Sequence, residues 1–524
     1  MQCWSRILNF GKENRTRILT MLILGCLPVV LCAVYCAARG GSLSDVFLPA
    51  SYWNDELFYY KQTQGILRAG YPLGYFGYNE SHARMLSFGY WNPLMFLPWT
   101  VWGLLFGWNL HSTVLCNLVC VVIGILVFAW LAQPDFRQTV SIALLVSLFT
   151  PFTRFILSSV AEYLFLSAVL VYAGLLFAYA RKERKCYLNG MLILTVFLTL
   201  LRPYYLSLVL LPVFLFQSRG SRWKLKFLGG GLLGMAGYFL FKYCLSAEYL
   251  FIEIGGGFLG VLKQEGIAAG IRAFGTQTLD AANSLIRLLK DAVRYGNEGG
   301  CFYGAFGILG VFFLLIALKE RKGQCREKAR GAVGMAGVYV FLMAAIVYMY
   351  DIHNGDRHLM AFILLGLLFL GMYSGKWLGT ILKTVIAAML VLFYFIKPGT
   401  DYERQVPFTD DVLKQEIVEL QEELEEKMTL SEQLSWNNTV IWLAYDIVDE
   451  EVVAEQWQQL YALPAGFGIN HCSQSYVMEN FDNINSRYIA AIPGGDIEKR
   501  LEESGASRLA GNADIAIWDR STIK

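Results

Sequence analysis

The chain has 524 residues, of which 56% are apolar and only 16% charged, against about 45–50% and about 25% in ordinary globular domains. Apolar runs near the roughly 20 residues that cross a bilayer recur along most of it, which excludes a water-soluble enzyme, a disordered chain and a disulfide-stapled secreted domain. The formal charge of +2 conceals an asymmetry: residues 1–396 carry 34 basic and 18 acidic side chains, a net of +16, and residues 397–524 carry 10 and 24, a net of −14. Two domains are therefore predicted, an all-α polytopic membrane domain over 1–396 and a small α/β domain over 397–524. The basic excess lies in short loops between apolar segments, so no nucleic-acid partner is needed to explain it.

In chain order, Arg6, Lys12, Arg15 and Arg17 precede an apolar run with no clear cleavage site after it. That pattern predicts a first transmembrane helix and not a removed signal. The basic amino terminus, Arg181–Lys185, Arg219–Lys226 and Lys319–Arg330 are cytoplasmic by the positive-inside rule. Counting from these anchors predicts eleven spans, near 18–38, 112–132, 139–153, 160–180, 188–201, 204–217, 227–244, 302–318, 331–350, 359–373 and 379–396. The tail then lies outside. Asn92–Leu110 is apolar enough to span, but counting it would invert every later basic loop. Its Pro93, Pro98 and tryptophans suit a helix lying in the outer interface or re-entering it. Residues 39–111 thus read as one large outer loop, 245–301 as a second, and Asp351–His358 as a short third.

The tail opens with an acidic helix over Phe408–Met428, with apolar residues at helical spacing. Strands are predicted at Thr439–Tyr445, Tyr488–Ile492 and Ile515–Trp518, and a short helix at Ile497–Ser504 before Gly505. Gly494-Gly495 reads as a turn and not as a nucleotide-binding motif. The eleven cysteines are scattered, show no CxxC or zinc spacing, and read as small packing residues. Cys472 stands alone in the tail, so that part has no internal disulfide.

Four groups carry candidate chemistry. Tyr52-Trp53-Asn54-Asp55-Glu56-Leu57-Phe58-Tyr59-Tyr60 sets two carboxylates against an aromatic-rich membrane surface, where desolvation is costly. Successive side chains diverge by about 100° on a helix, so Asp55 and Glu56 cannot both aim at one atom; one acts and the other supports it, unless the pair is only a hydrated helix start with Asn54 or Asp55 as N-cap. Glu162 begins an apolar run, as a site group or a snorkelling end-cap. Asp351-Ile-His353-Asn-Gly-Asp356-Arg357-His358 is the most polar stretch between two late helices. Its Arg and His residues suit a phosphate, since a guanidinium matches phosphate oxygens bidentately; the ordinary alternative is a capped hairpin turn. A metal there is not supported, because the spacing matches no standard ligand set. Arg202-Pro203 places an arginine partway into the membrane, where it binds an anionic head group or pairs with a helix end.

Taken in order, these features resemble membrane glycosyltransferases of the GT-C superfamily, near the protein mannosyltransferase and aminoarabinose transferase group. Asp55-Glu56-Leu57-Phe58-Tyr59 is similar to that group's acidic motif in the first outer loop. Pro93-Leu94 through Leu105-Phe106-Gly107 is similar to the amphipathic segment that closes the loop. Glu162 stands where an acidic residue, more often Asp, begins a later helix, and Arg357-His358 matches a late Arg-His pair. The resemblance covers roughly residues 18–375 and leaves the tail unplaced. It implies an inverting transfer of a sugar from a polyprenyl-phosphate donor to an extracytoplasmic acceptor, whether cell-envelope glycan, lipid or protein, with no cofactor strictly required. By the same resemblance Asp55 is the base, Glu56 and Glu162 are supporting acids, and Arg357, His358 and Arg202 contact the donor phosphate. The resemblance and the lack of eukaryotic targeting signals imply a bacterial plasma membrane. The rival readings are a lipid-linked sugar transporter, a polysaccharide polymerase or ligase, and a non-catalytic sugar-sensing scaffold.

Overall fold

A backbone inside a bilayer must satisfy its own hydrogen bonds, so apolar stretches of this length fold as helices. The computed structural model describes residues 2–46, 54–72, 74, 76–78, 86, 88, 92–215, 221–245, 257–321, 326–349, 352, 356–396, 411–433, 439–443, 458–465, 467–484 and 486–522. After α1 (Gln2–Ala37) come two helices of the first predicted outer loop, α2 (Asn54–Ala69) and α3 (Leu97–Phe106). Next are α4 (Ser112–Ala132), α5 (Phe136–Leu148), α6 (Thr150–Ile156), α7 (Glu162–Lys182), α8 (Lys185–Leu201), α9 (Leu210–Leu215) and α10 (Ser221–Leu245). The second loop holds α11 (Phe258–Glu265) and α12 (Ile267–Tyr295), and α13 (Glu298–Arg321), α14 (Arg326–Met349), α15 (Met360–Met372) and α16 (Lys376–Val391) follow.

Among the described residues, seven helices are long and apolar enough to cross a membrane: α1, α4, α7, α10, α13, α14 and α16 with the turn that continues it to Ile396. Each of the other predicted spans is helical but shorter or broken. Lys185–Leu201, Pro203–Leu215 and Arg357–Met372 are short apolar helices, and α5 and α6 meet at a 70° bend. The bend has a local cause. Pro151 lacks an N–H and restrains the residue before it, and the chain leaves the helical region at Phe149 (φ −94°, ψ 78°). Pro93–Phe106 is likewise a short apolar helix, entered through Asn92, whose side chain accepts the Leu94 N–H at 3.0 Å.

Among the described residues, five strands of the tail and one from near the amino terminus form a sheet in the order β1-β3-β2-β4-β6-β5: β1 (Phe76–Tyr78), β2 (Thr439–Leu443), β3 (Gly468–Cys472), β4 (Tyr488–Ala491), β5 (Ser507–Gly511) and β6 (Ala516–Asp519). The four strands from β1 to β4 run parallel, β6 is antiparallel to β4, and β5 is antiparallel to β6. The edge strand β1 comes from the long segment between α1 and α4, with Phe76 opposite Ile469. Three strands escape the sequence pattern: β1 is three residues long, β3 is interrupted by Asn470 and His471, and β5 is a largely exposed edge with an irregularity between Arg508 and Ala510. The acidic helix spans Asp411–Lys427 and buries Ile417, Leu420 and Leu424, one stripe at helical spacing. The short helix is Asp496–Glu503, and Gly494 makes the turn before it with φ +76°. The predicted starts and ends at 408–410 and 444–445 lie outside the described residues.

The tail rests on α2. Lys61, only 4% exposed, donates to the carbonyl oxygens of Leu463 and Pro464, the latter at 3.3 Å, and to Gln64 Oε1 at 2.7 Å. The rings of Tyr60 and Tyr461 lie 5.1 Å apart. Leu460, Tyr461 and the buried stripe of the acidic helix share one apolar cluster with the membrane helices. Leaving buried carbonyls without their donor costs about 1–3 kcal/mol. Lys61→Met is therefore expected to speed amide exchange over 458–472, whereas Lys61→Arg restores part of the protection. Unchanged exchange in Lys61→Met would remove this contact from the docking.

Candidate functional site

Four helix starts meet at one end of the bundle. Asp55 lies in the first turn of α2 and Glu162 is the first residue of α7, positions where the unpaired N–H groups of a helix favour carboxylates. Arg202 precedes Pro203, and that position disfavours helical geometry. Its backbone is extended (φ −145°, ψ 116°), which ends α8 and begins the turn Pro203–Val209. Arg357 and His358 sit in the turn Asp356–Leu359 that leads into α15.

Five of the six predicted site residues come together there. Glu162 Oε1 accepts from Arg202 Nη2 at 2.7 Å, and Arg357 Nε lies 4.0 Å from the same oxygen. Arg357 Nη2 makes a close ion pair with Asp55 Oδ2. Arg202 Nη1 faces His358 Nδ1 at 2.8 Å and the Tyr204 hydroxyl at 3.1 Å, and that hydroxyl is 3.0 Å from His358 Nδ1. A guanidinium has no acceptor, so Nδ1 accepts, which assigns a neutral imidazole with its proton on Nε2. The Arg202 guanidinium also lies over the Phe165 ring at 4.4 Å, a cation–π contact.

Exposure divides the cluster. The side chains of Glu162 and Arg202 are 2% and 8% exposed, those of Asp55 and Arg357 15% and 26%. The Glu162–Arg202–His358 group is the anchor, and the Asp55–Arg357 pair is the edge a ligand can reach. With His358 neutral, two carboxylates balance two guanidiniums. An arriving anion can engage the arginine fork and leave the Asp55 carboxylate able to accept a proton.

Glu56 does not join this cluster. Its Oε1 accepts the Ser159 N–H at 2.9 Å, and Ser159 Oγ donates to the Glu56 carbonyl at 3.3 Å. Burial pushes its carboxyl up to about 7, while Arg154 and the Ser159 N–H act in the opposite direction. Asp351 and His353 lie outside the described residues, as does the side chain of Asp356. Among the described residues no three His, Cys, Asp or Glu side chains gather as a metal site would require.

Sequence reasoning missed Tyr204 and Arg154. Tyr204 is two residues past Arg202 across Pro203, a spacing that an extended residue brings to the same side. Arg154 is a 2% exposed arginine among Phe152 and Phe155; a charge at the end of an apolar run was the available signal. Asn117 ties the adjoining turn to α4: it accepts from Trp99 Nε1 at 2.8 Å and donates to the carbonyls of Ile156 and Ser158.

Fold and cluster together define a multi-pass membrane protein with a buried acid–guanidinium–imidazole network at one end of its helices. No protein-family model matches the chain, and no curated protein does. Among solved structures it is similar to the oligosaccharyltransferase of Archaeoglobus fulgidus tethered with an acceptor peptide containing the NVT sequon, at TM-score 0.49 and 11% identity over 91% of this chain and 69% of that one. It is also similar to ArnT from Cupriavidus metallidurans bound to undecaprenyl phosphate, at TM-score 0.48 and 10% identity over 95% of this chain and 97% of that one.

Two outcomes are expected. Glu162→Gln leaves Arg202 buried without its partner and should lower stability by about 3–5 kcal/mol, read by thermal unfolding in detergent. For Glu56, a folded pKa of about 7 against an ordinary 4.5 means that the folded chain holds a proton the unfolded chain has lost. Stability therefore falls as pH rises through that window. Glu56→Gln keeps an acceptor for Ser159, so its melting temperature should exceed that of wild type at pH 8 and approach it near pH 4.5; a gap independent of pH would contradict this.

Proposed function

We propose that the chain is a GT-C-type inverting glycosyltransferase that moves a sugar from a polyprenyl-phosphate-linked donor to an acceptor outside the cytoplasm. The observation that carries this reading is the Asp55–Arg357 pair at the accessible edge of the buried Glu162–Arg202–His358 anchor. It joins a base and a phosphate-binding fork within one contact.

The chemistry follows from what each group can do. Asp55 takes the proton of the acceptor hydroxyl or amine as that atom attacks the anomeric carbon. The bond from that carbon to the phosphate oxygen breaks, its electron pair stays on the oxygen, and polyprenyl phosphate departs on the opposite side, which inverts the centre. The departing phosphate is already anionic, so its added charge needs cations more than a proton. Arg357 meets it first, with Arg202 and the His358 ring behind. Glu162, between the two guanidiniums, is a positioning residue. Glu56 faces Ser159 and supports the start of α2.

The test is consumption of radiolabelled polyprenyl-phosphate sugars by membranes holding wild type or variants, across a panel of sugars. General-base loss costs about 10²–10⁴-fold, so Asp55→Asn is expected to fall by that much while keeping its elution profile and melting temperature. Arg357→Lys keeps the charge but loses the fork, and is expected to weaken donor binding more than turnover. Equal consumption by Asp55→Asn and wild type removes Asp55 as the base. No consumption of any sugar by wild type overturns the transferase reading.

A further inference from the structure

Helix α12 is three-sided, and only two of its sides are explained by the fold. One side packs on the protein. Phe274 stacks on Tyr348 at 4.9 Å, Gln277 Nε2 donates to the Val347 carbonyl at 3.1 Å, and Thr278 Oγ1 is 2.7 Å from the Tyr348 hydroxyl. Farther along, Leu288 and Ala292 are buried, and Gly300 in the first turn of α13 comes so close that a Cβ there would lie 2.0 Å from the Leu288 carbonyl oxygen. These contacts are with the last turn of α14 and the first turn of α13, so α12 lies across the ends of two spans. It is the end that carries the site, because Tyr303 of α13 donates to the Ile352 carbonyl, at 2.7 Å, just before the Arg357 turn.

A second side is polar and faces water, with Arg272, Asn283, Arg287 and Arg294 exposed along it. The third side is the unexplained one. At about 100° per residue, Ile271, Gly275, Leu279, Ala282, Ile286 and Val293 fall on one uncharged stripe. Ile271, Leu279, Ile286 and Val293 are each half or more exposed, and Gly275 has nothing near it. The two spans whose ends it crosses also carry open apolar residues, Val311, Leu314 and Val340, as lipid-facing spans do. The helix is too polar to span, with four basic and two acidic residues in 29. Such an amphipathic helix, low in net hydrophobicity and edged by arginines, lies in the plane of a membrane interface.

We propose that α12 is a membrane-surface helix: its Ile271–Val293 stripe sinks into the acyl boundary of the leaflet on the site side, and Arg272, Arg287 and Arg294 take phospholipid phosphates at its edge. The partner is the lipid surface itself, chosen over a protein because α12 lies across the ends of two membrane spans and its excess of basic over acidic residues suits anionic phosphates. The inference does not depend on the transferase reading.

The test uses the full chain in nanodiscs of phosphatidylethanolamine and phosphatidylglycerol, with Cys3, Cys325 and, among the described residues, the exposed Cys26, Cys186 and Cys244 replaced by serine. Nitroxide labels go on Leu279→Cys and Ile286→Cys for the stripe, and on Thr276→Cys and Asn283→Cys for the polar side. Collision with oxygen, which concentrates in lipid, is compared with collision with a water-soluble nickel chelate. The oxygen-to-nickel ratio is expected to be several-fold higher at 279 and 286 than at 276 and 283. Equal ratios at all four sites place the stripe in water and overturn the proposal. Low collision with both reagents at 279 and 286 reveals a protein occupant, a second copy or another chain, and overturns it equally. Ile271→Cys and Val293→Cys repeat the measurement if either stripe variant fails to fold.

Discussion

The buried Glu162 carboxylate organises the candidate site. A charge almost fully removed from water persists only if opposite charge and hydrogen bonds replace its hydration. Here one oxygen holds Arg202 directly and lies within reach of Arg357. Everything else is arranged outward from that oxygen: His358 and Tyr204 complete the surroundings of Arg202, and Asp55 completes those of Arg357. Six side chains from four separate stretches thus share one network, and each is fixed by the others more than by its own helix.

The same logic explains what the sequence could and could not show. Apolar length and the basic clusters made the helices legible, because those signals are local. The order of acidic, aromatic and basic residues at the helix starts singled out five of the residues that meet in the cluster, since a charge at the border of an apolar run has few ordinary reasons to be there. The 70° bend after α5 was not legible as a break, although Pro151 was its cause. Tyr204 and Arg154 were not singled out, because their meaning depends on which stretches meet in space. Strand β1 could not be read at all: three residues carry no periodicity, and their partner is a distant segment.

The carboxylates at 55 and 56 show how backbone geometry separates two like groups. Adjacent on one helix turn, they point to different neighbours: Asp55 to a guanidinium at an accessible edge, Glu56 to a backbone N–H in a closed interior. Their surroundings differ accordingly, and burial holds Glu56 up near neutrality.

The pairing of Phe76–Tyr78 with Gly468–Cys472 joins segments separated by nearly four hundred residues of chain. During synthesis from the amino terminus, the loop between α1 and α4 is made long before the strand it must meet. Until the carboxy-terminal part has been delivered to the same side of the membrane, that loop has no edge to pair with, and α2 has neither Leu463 nor Tyr461 to rest on. Assembly of this end of the molecule is therefore among the last events of biogenesis, and a chain shortened at its carboxy terminus would carry every helix of the bundle yet leave the helix bearing Asp55 unsupported.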